Sequence, residues 1–83
     1  MRDLLLRLLR GHHRNVDFAD FRELVLAYGF WEVRTRGSHQ IYAHPDVPQL
    51  VNLQPHRGEA KPYQIRQFLR LVERYNLRLE EES

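Results

Sequence analysis

FWEVRTRGSHQIYAHP, residues 30–45, decides what kind of domain this chain forms. Two runs rich in aromatic and β-branched residues flank Gly37-Ser38, the composition of a β-hairpin. Phe30 to Thr35 reads as one strand and His39 to His44 as the next. Register then decides what is buried. A two-residue turn at Gly37-Ser38 would set Val33 opposite Tyr42 and put Ile41 on the face of Arg34. A three-residue connection, Arg36 to Ser38, pairs Val33 with Ile41 and Trp31 with Ala43. It gathers the apolar residues on one face and is the expected arrangement. Trp31 is then core, and Glu32, Arg34, Gln40, Tyr42 and His44 face outward. His39 falls at the hairpin end, on the core side at the lip of the sheet.

Downstream, PDVP reads as a long connection. Leu50 to Gln54 reads as a third strand with Val51 and Leu53 inward. PHRGEAK is a loop. Pro62 suits the first turn of a helix running to about Asn76, with Ile65, Phe68, Leu69, Val72 and Tyr75 as its buried stripe. Arg66, Arg70 and Arg74 recur on a solvent face of that helix. Upstream, residues 2–10 make a short amphipathic helix. GHHRN breaks it, and Asp17 caps a second helix, Phe18 to about Tyr28, stopped by Gly29. Val16 and Phe21 are placed as a hydrophobic staple around that cap. The order is helix, helix, three antiparallel strands, helix: a small α+β domain over residues 1–83, with 1–16 as an N-terminal helical extension.

The chain has 83 residues, enough for one modest core and a shallow surface site rather than a deep cavity. It has no cysteine, which excludes disulfides, thiolate zinc sites and a thiol nucleophile. No apolar run is long enough to span a bilayer. No signal-type segment is recognisable at the start, so a cytoplasmic protein without membrane contact is expected. Glu80, Glu81 and Glu82 hold three of the eleven carboxylates, leaving thirteen Lys and Arg against eight acids elsewhere. Twelve of those thirteen are arginine, with Lys61 the exception. Forked guanidinium groups suit phosphate, so RNA is a candidate partner.

YGFWEVRTRGSHQIYAHP followed by LVNLQPHRGEAKPYQIRQFLRLVERYN resembles the HicA toxin family (YcfA-like) of bacterial and archaeal toxin–antitoxin systems. The GF, the GSH about seven residues on, an aromatic shortly after, a proline–loop–strand and a G…KP opening the last helix occur in order, over roughly residues 17–77. The resemblance implies a fold similar to double-stranded RNA-binding domains. It implies a type II toxin, an endoribonuclease that cuts mRNA without a metal or any small-molecule cofactor. It makes His39 of GSH the catalytic residue and a HicB-type antitoxin, which blocks that site, the partner. A non-catalytic RNA-binding domain on the same scaffold is the alternative, and a protein-interaction module the third reading.

The residues themselves fit such chemistry. RNA carries its own nucleophile, the 2′-hydroxyl, and needs a base, an acid and positive charge near the phosphorane. Histidine transfers protons near neutrality. Arg34 and Arg36 stand near His39 to offset phosphate charge. Gly37 admits close backbone approach, and Ser38 can donate a hydrogen bond. Tyr42 and His44, on the outward face, are RNA-contact candidates. His44 and His56 are candidates for the second acid. Arg57 and Lys61, before the last helix, form a second patch at a helix N-terminus, where phosphate is favoured. Tyr63 is read as capping the core, and His12 and His13 as loop residues. No histidine pair has metalloenzyme spacing, so no metal site is expected.

Overall fold

The elements follow from local pattern. A computed structural model describing residues 1–80 contains α1 (Arg2–Leu9), α2 (Phe18–Ala27), β1 (Trp31–Arg36), β2 (His39–His44), β3 (Val47–Leu53) and α3 (Pro62–Arg74). Glu81 and Glu82 of the acidic tail lie outside the described residues. Asp17 occupies the N-cap position of α2 in extended conformation, and Pro62 opens α3. Gly29 follows α2 with φ +92°, a conformation costly for any residue with a Cβ. A Cβ there would also lie 2.7 Å from Glu80 Oε1, because the chain end returns over this turn and Glu80 N–H donates to Ala27 O at 2.6 Å.

The strands form one antiparallel sheet in the order β1-β2-β3. β3 starts at Val47 rather than Leu50, so the expected long connection is only a tight turn at Pro45-Asp46. Pro48 is compatible with a strand because β3 is an edge. It lies where the β2–β3 register shifts, between the pairs Tyr42–Val51 and His44–Val47.

The hairpin combines both registers considered above. At the tip the turn has two residues, Gly37-Ser38, with Arg36 opposite His39, Thr35 opposite Gln40 and Arg34 opposite Ile41. Further in, Glu32 pairs with Tyr42 and Trp31 with Ala43, the register expected there. The difference is absorbed by a bulge between Glu32 and Arg34, which leaves Val33 as the extra residue.

The buried face of the hairpin is the reverse of the expected one. Paired residues share a face. Gln40 pairs with the inward Leu53 and Tyr42 with the inward Val51, so the even positions of β2 point at the helices. Tyr42 has no exposed surface, while Trp31 and Val33 are 49% and 50% exposed. Tyr42 can lie inside because its hydroxyl is satisfied there. It accepts from Arg22 Nε at 2.7 Å and donates to Gln40 Oε1 at 2.6 Å. Phe30, one residue before β1, takes the core place expected of Trp31.

The core gathers around Phe68 of α3, whose ring meets Phe21 at 5.5 Å, Tyr28 at 5.6 Å and Phe30 at 5.6 Å between centroids. Each such edge or tilted contact adds about 0.5–1.5 kcal/mol beyond burial. Val16, Leu24, Val25, Leu53 and Ile65 complete it. α1 joins through Leu8, which is 1% exposed, with Leu4 and Leu5 packed alongside. Among the described residues no helix covers the opposite face of the sheet, where Trp31, Val33 and Leu50 are half-exposed.

Candidate functional site

The tip of the hairpin is shaped by one backbone requirement. Gly37 has φ +61° and Ser38 is not left-handed, the pattern of a type II′ turn with glycine at its first central position. Such a turn continues the right-handed twist of both strands and brings His39 directly across from Arg36. Alternation then puts His39 and Arg36 on the same face as Arg34 and Ile41, the face without helices. His39 is exposed there, and its expected position on the core side is corrected.

A chain of polar contacts joins this tip to the start of α3. Ser38 Oγ accepts from Gln54 Nε2 at 3.1 Å, and Gln54 Oε1 accepts from Lys61 Nζ at 2.9 Å. Gln54 is itself anchored: its backbone N–H donates to Oε1 of the buried Gln64 at 3.0 Å. The hairpin patch and the Lys61 patch, separate in sequence, are thus one end of the molecule. Sequence reading missed Gln54. Nothing around it marks a role that arises only when the strand end, the turn and the helix start converge.

Arg57 sits on a second tight turn. His56 and Glu59 exchange both backbone hydrogen bonds, at 2.9 and 3.0 Å, with Arg57 at φ +53° and Gly58 at φ +79°. Both central residues are left-handed, as in a type I′ turn. That conformation costs a non-glycine residue about 1–2 kcal/mol, so an arginine is held at the tip against its preference. The turn is stitched to the chain before α2 by Ala60 N–H to Val16 O at 2.8 Å and Phe18 N–H to Gly58 O at 2.9 Å.

Two expected contacts do not belong to this end. Tyr42 is buried and faces the helices instead of pointing outward. Burial pushes its hydroxyl pKa up, while the neighbouring Arg22 offsets part of that shift. His44 lies at the far end of β2, five residues or about 17 Å from His39. It also faces the helices: its ring packs on Phe30 at 4.9 Å and its Nδ1 accepts the Asp46 N–H at 3.0 Å. It lines a cavity of about 380 Å³ with Tyr28, Gly29, Asn76 and Arg78. Tyr63, expected to cap the core, is 49% exposed. His13 is half-buried, with Nε2 2.8 Å from Leu8 O, and is not a free loop residue.

Beneath the hairpin, Glu32 bonds Thr35 and pairs with Arg22 at 3.1 Å. Those partners hold its carboxyl below the usual range, Thr35 first and Arg22 second. Among the described residues no group of three or more His, Asp or Glu is placed to hold a metal ion, and no helix is long and apolar enough to cross a membrane. A groove of about 700 Å³ runs between β3 and α3, lined by Leu50, Asn52, Gln67, Arg70 and Arg74. It contains none of the residues named for the site.

The family model described as the HicA toxin of bacterial toxin–antitoxin systems matches residues 18–73, from the first residue of α2 almost to the end of α3. Neither the curated proteins nor the solved structures compared with the chain gave a significant match. The chain belongs to the HicA toxin family.

Proposed function

We propose that this HicA-family toxin is a metal-independent endoribonuclease that cleaves mRNA in the cytoplasm, with His39 as its proton-transfer group and a HicB-type antitoxin as its restraint. One observation carries the reading: an exposed histidine on a II′ turn, flanked by Arg36 and Arg34, at the end of the molecule where Lys61 is tied through Gln54 to Ser38. Phosphate entering this end meets cations from the hairpin and from the start of α3.

His39 takes the 2′-hydroxyl proton, the oxygen attacks the adjacent phosphorus, and the 5′-oxygen leaves. Arg36 and Lys61 offset the charge that develops on the phosphorane. His56, at the base of the neighbouring turn, is the remaining candidate for the acid that protonates the leaving oxygen. His44 is too far along β2 to share the task. The order α2-β1-β2-β3-α3 matches that implied by the likeness to double-stranded RNA-binding domains. Such domains hold phosphates and 2′-hydroxyls across a shallow minor groove, and Arg57 and Lys61 suit that contact.

The test is His39→Ala, assayed on total RNA with excess chelator. The wild-type chain should cleave in chelator. The variant should lose about 10²–10⁴-fold in rate, the usual contribution of a positioned acid or base, with unchanged far-UV circular dichroism and retained RNA binding. Equal cleavage by the folded variant, or wild-type cleavage that returns only with added metal, overturns the proposal.

A further inference from the structure

The polar chain that joins Lys61, Gln54 and Ser38 has a direction, and Lys61 sets it. An ammonium group only donates. The Gln54 atom 2.9 Å from Lys61 Nζ is therefore the carbonyl oxygen, Oε1. The other end of that amide, Nε2, can only donate, and it lies 3.1 Å from Ser38 Oγ. Turning the amide over would set its N–H groups against the ammonium. Ser38 Oγ must accept on this side, so its own proton points elsewhere. Among the described residues no side chain or backbone oxygen takes that proton. The fold fixes the stem of Gln54 as well. Leu53, just before it, is fully buried and pairs with Gln40, and the Gln54 N–H is held by the buried Gln64. One residue further along that register, Gln54 comes across from His39. Gln54 and Lys61 are half-buried, whereas Ser38 and His39 are exposed. The chain thus runs from the body of the domain to the surface beside the histidine.

We propose that Gln54 is a positioning residue: its amide, oriented by Lys61, holds the Ser38 hydroxyl with the proton turned outward, as a donor to an RNA phosphate oxygen beside His39. The inference rests on the reading of this end of the molecule as the RNA site. A phosphate oxygen accepts only. It completes a sequence from Lys61 to Gln54 to Ser38 to phosphate in which every link runs donor to acceptor in the same sense. Hydrogen bonds aligned in this way polarise and strengthen one another. A serine hydroxyl left free would rotate and present either its proton or its lone pairs. Fixing it before RNA arrives removes the cost of ordering it on binding, and a donor aimed in advance is what developing phosphate charge needs. Lys61 then acts on phosphate twice, by its charge and through the orientation of the Gln54 amide.

Gln54→Glu is the deciding substitution. The carboxylate keeps the contact to Lys61 and still reaches Ser38, but it only accepts. The hydroxyl must then donate inward, and its proton leaves the site while the tether stays. Gln54→Met, of similar length, removes both contacts. Affinity for a fluorescently labelled, mixed-sequence RNA is measured by anisotropy on the His39→Ala chain carrying Gln54→Glu, Ser38→Ala or both. Cleavage rates of the same substitutions are measured with His39 in place, together with melting temperatures. The negative charge that Gln54→Glu adds acts in either background, so the cycle removes it. In affinity, in rate or in both, Gln54→Glu should cost about fivefold more with Ser38 present than in the Ser38→Ala chain, the factor one net hydrogen bond supplies. Equal factors in both readouts overturn the proposal. So do wild-type affinity and rate in Gln54→Glu with losses in Gln54→Met, which would leave Gln54 a tether only. If Gln54→Glu lowers the melting temperature, Lys61→Met, which frees the amide to turn, takes its place in the same cycle under the same criterion. If the wild-type chain cleaves no RNA, the cleavage reading fails and the affinity cycle alone decides the role of Gln54.

Discussion

Tyr42→Phe separates the buried tyrosine from an RNA-contacting one. The substitution keeps the ring and removes only the oxygen, so no cavity forms. Two hydrogen bonds are lost, from Arg22 Nε at 2.7 Å and to Gln40 Oε1 at 2.6 Å. The neutral bond is worth about 1 kcal/mol. A charged one would be worth more in a dry site, but the Arg22 side chain is 35% exposed and recovers water, so about 1 kcal/mol is assigned to it as well. The sum, about 2 kcal/mol, corresponds to roughly 8–16 °C in melting temperature for a domain of this size. Thermal and urea unfolding at neutral pH measure it, with RNA affinity determined at 25 °C. Arg22→Ala should cost part of the same stability, and the double variant should be less destabilised than the two singles added. A melting temperature within about 2 °C of wild type, together with weakened RNA binding, would refute the inward placement.

In the His39→Ala background, Arg36→Ala with Lys61→Ala should weaken binding across RNA sequences. It should also flatten the plot of log affinity against log salt by about 1.4–1.8 for two lost phosphate contacts. Arg70→Ala with Arg74→Ala, in the β3–α3 groove, should leave the slope unchanged, and a larger effect there would move the RNA to the helix. Glu32→Gln should destabilise at neutral pH and less in acid. The folded carboxyl is depressed by Thr35 and Arg22, so its contribution is complete above the ordinary carboxylate pKa, about 4.3, and is lost as pH falls through the lower folded value. Urea midpoints of both proteins should therefore converge as pH falls below the ordinary carboxylate range; a constant gap would remove Glu32 from the stability of the hairpin.

The helices were readable because their apolar spacing and end signals act locally: Pro62 and the stripe of Ile65 and Phe68 hold in three dimensions, and Asp17 holds the N-cap position of α2, though its side chain makes no capping hydrogen bond. The inward alternation of Val51 and Leu53 was readable for the same reason. The face of the hairpin was not. Trp31, Val33 and Ile41 look more apolar than Tyr42, whose buried hydroxyl is made inexpensive by Arg22, twenty residues away on α2, together with Gln40 two residues back on the same strand. The Val33 bulge has no sequence mark, so one register could not be assigned along the whole hairpin. At the candidate site, the pattern of Gly37-Ser38-His39 carried the histidine and its arginines. It carried no information about Gln54, whose contacts span sixteen residues to Ser38 and seven to Lys61.

The interruptions in the two outer strands bear on what this protein does when free of any partner. A three-stranded sheet exposes two backbone edges, and an uninterrupted edge recruits further copies into growing ladders. On β1 the bulge at Val33 increases local twist among the charged Glu32, Arg34 and Arg36. On β3, Pro48 sits in a second break of register. Neither edge offers a long flat row of donors and acceptors. Removing Val33 would join Glu32 to Arg34 and restore a regular ladder with every side chain on its present face, at the cost of an edge straight enough to polymerise.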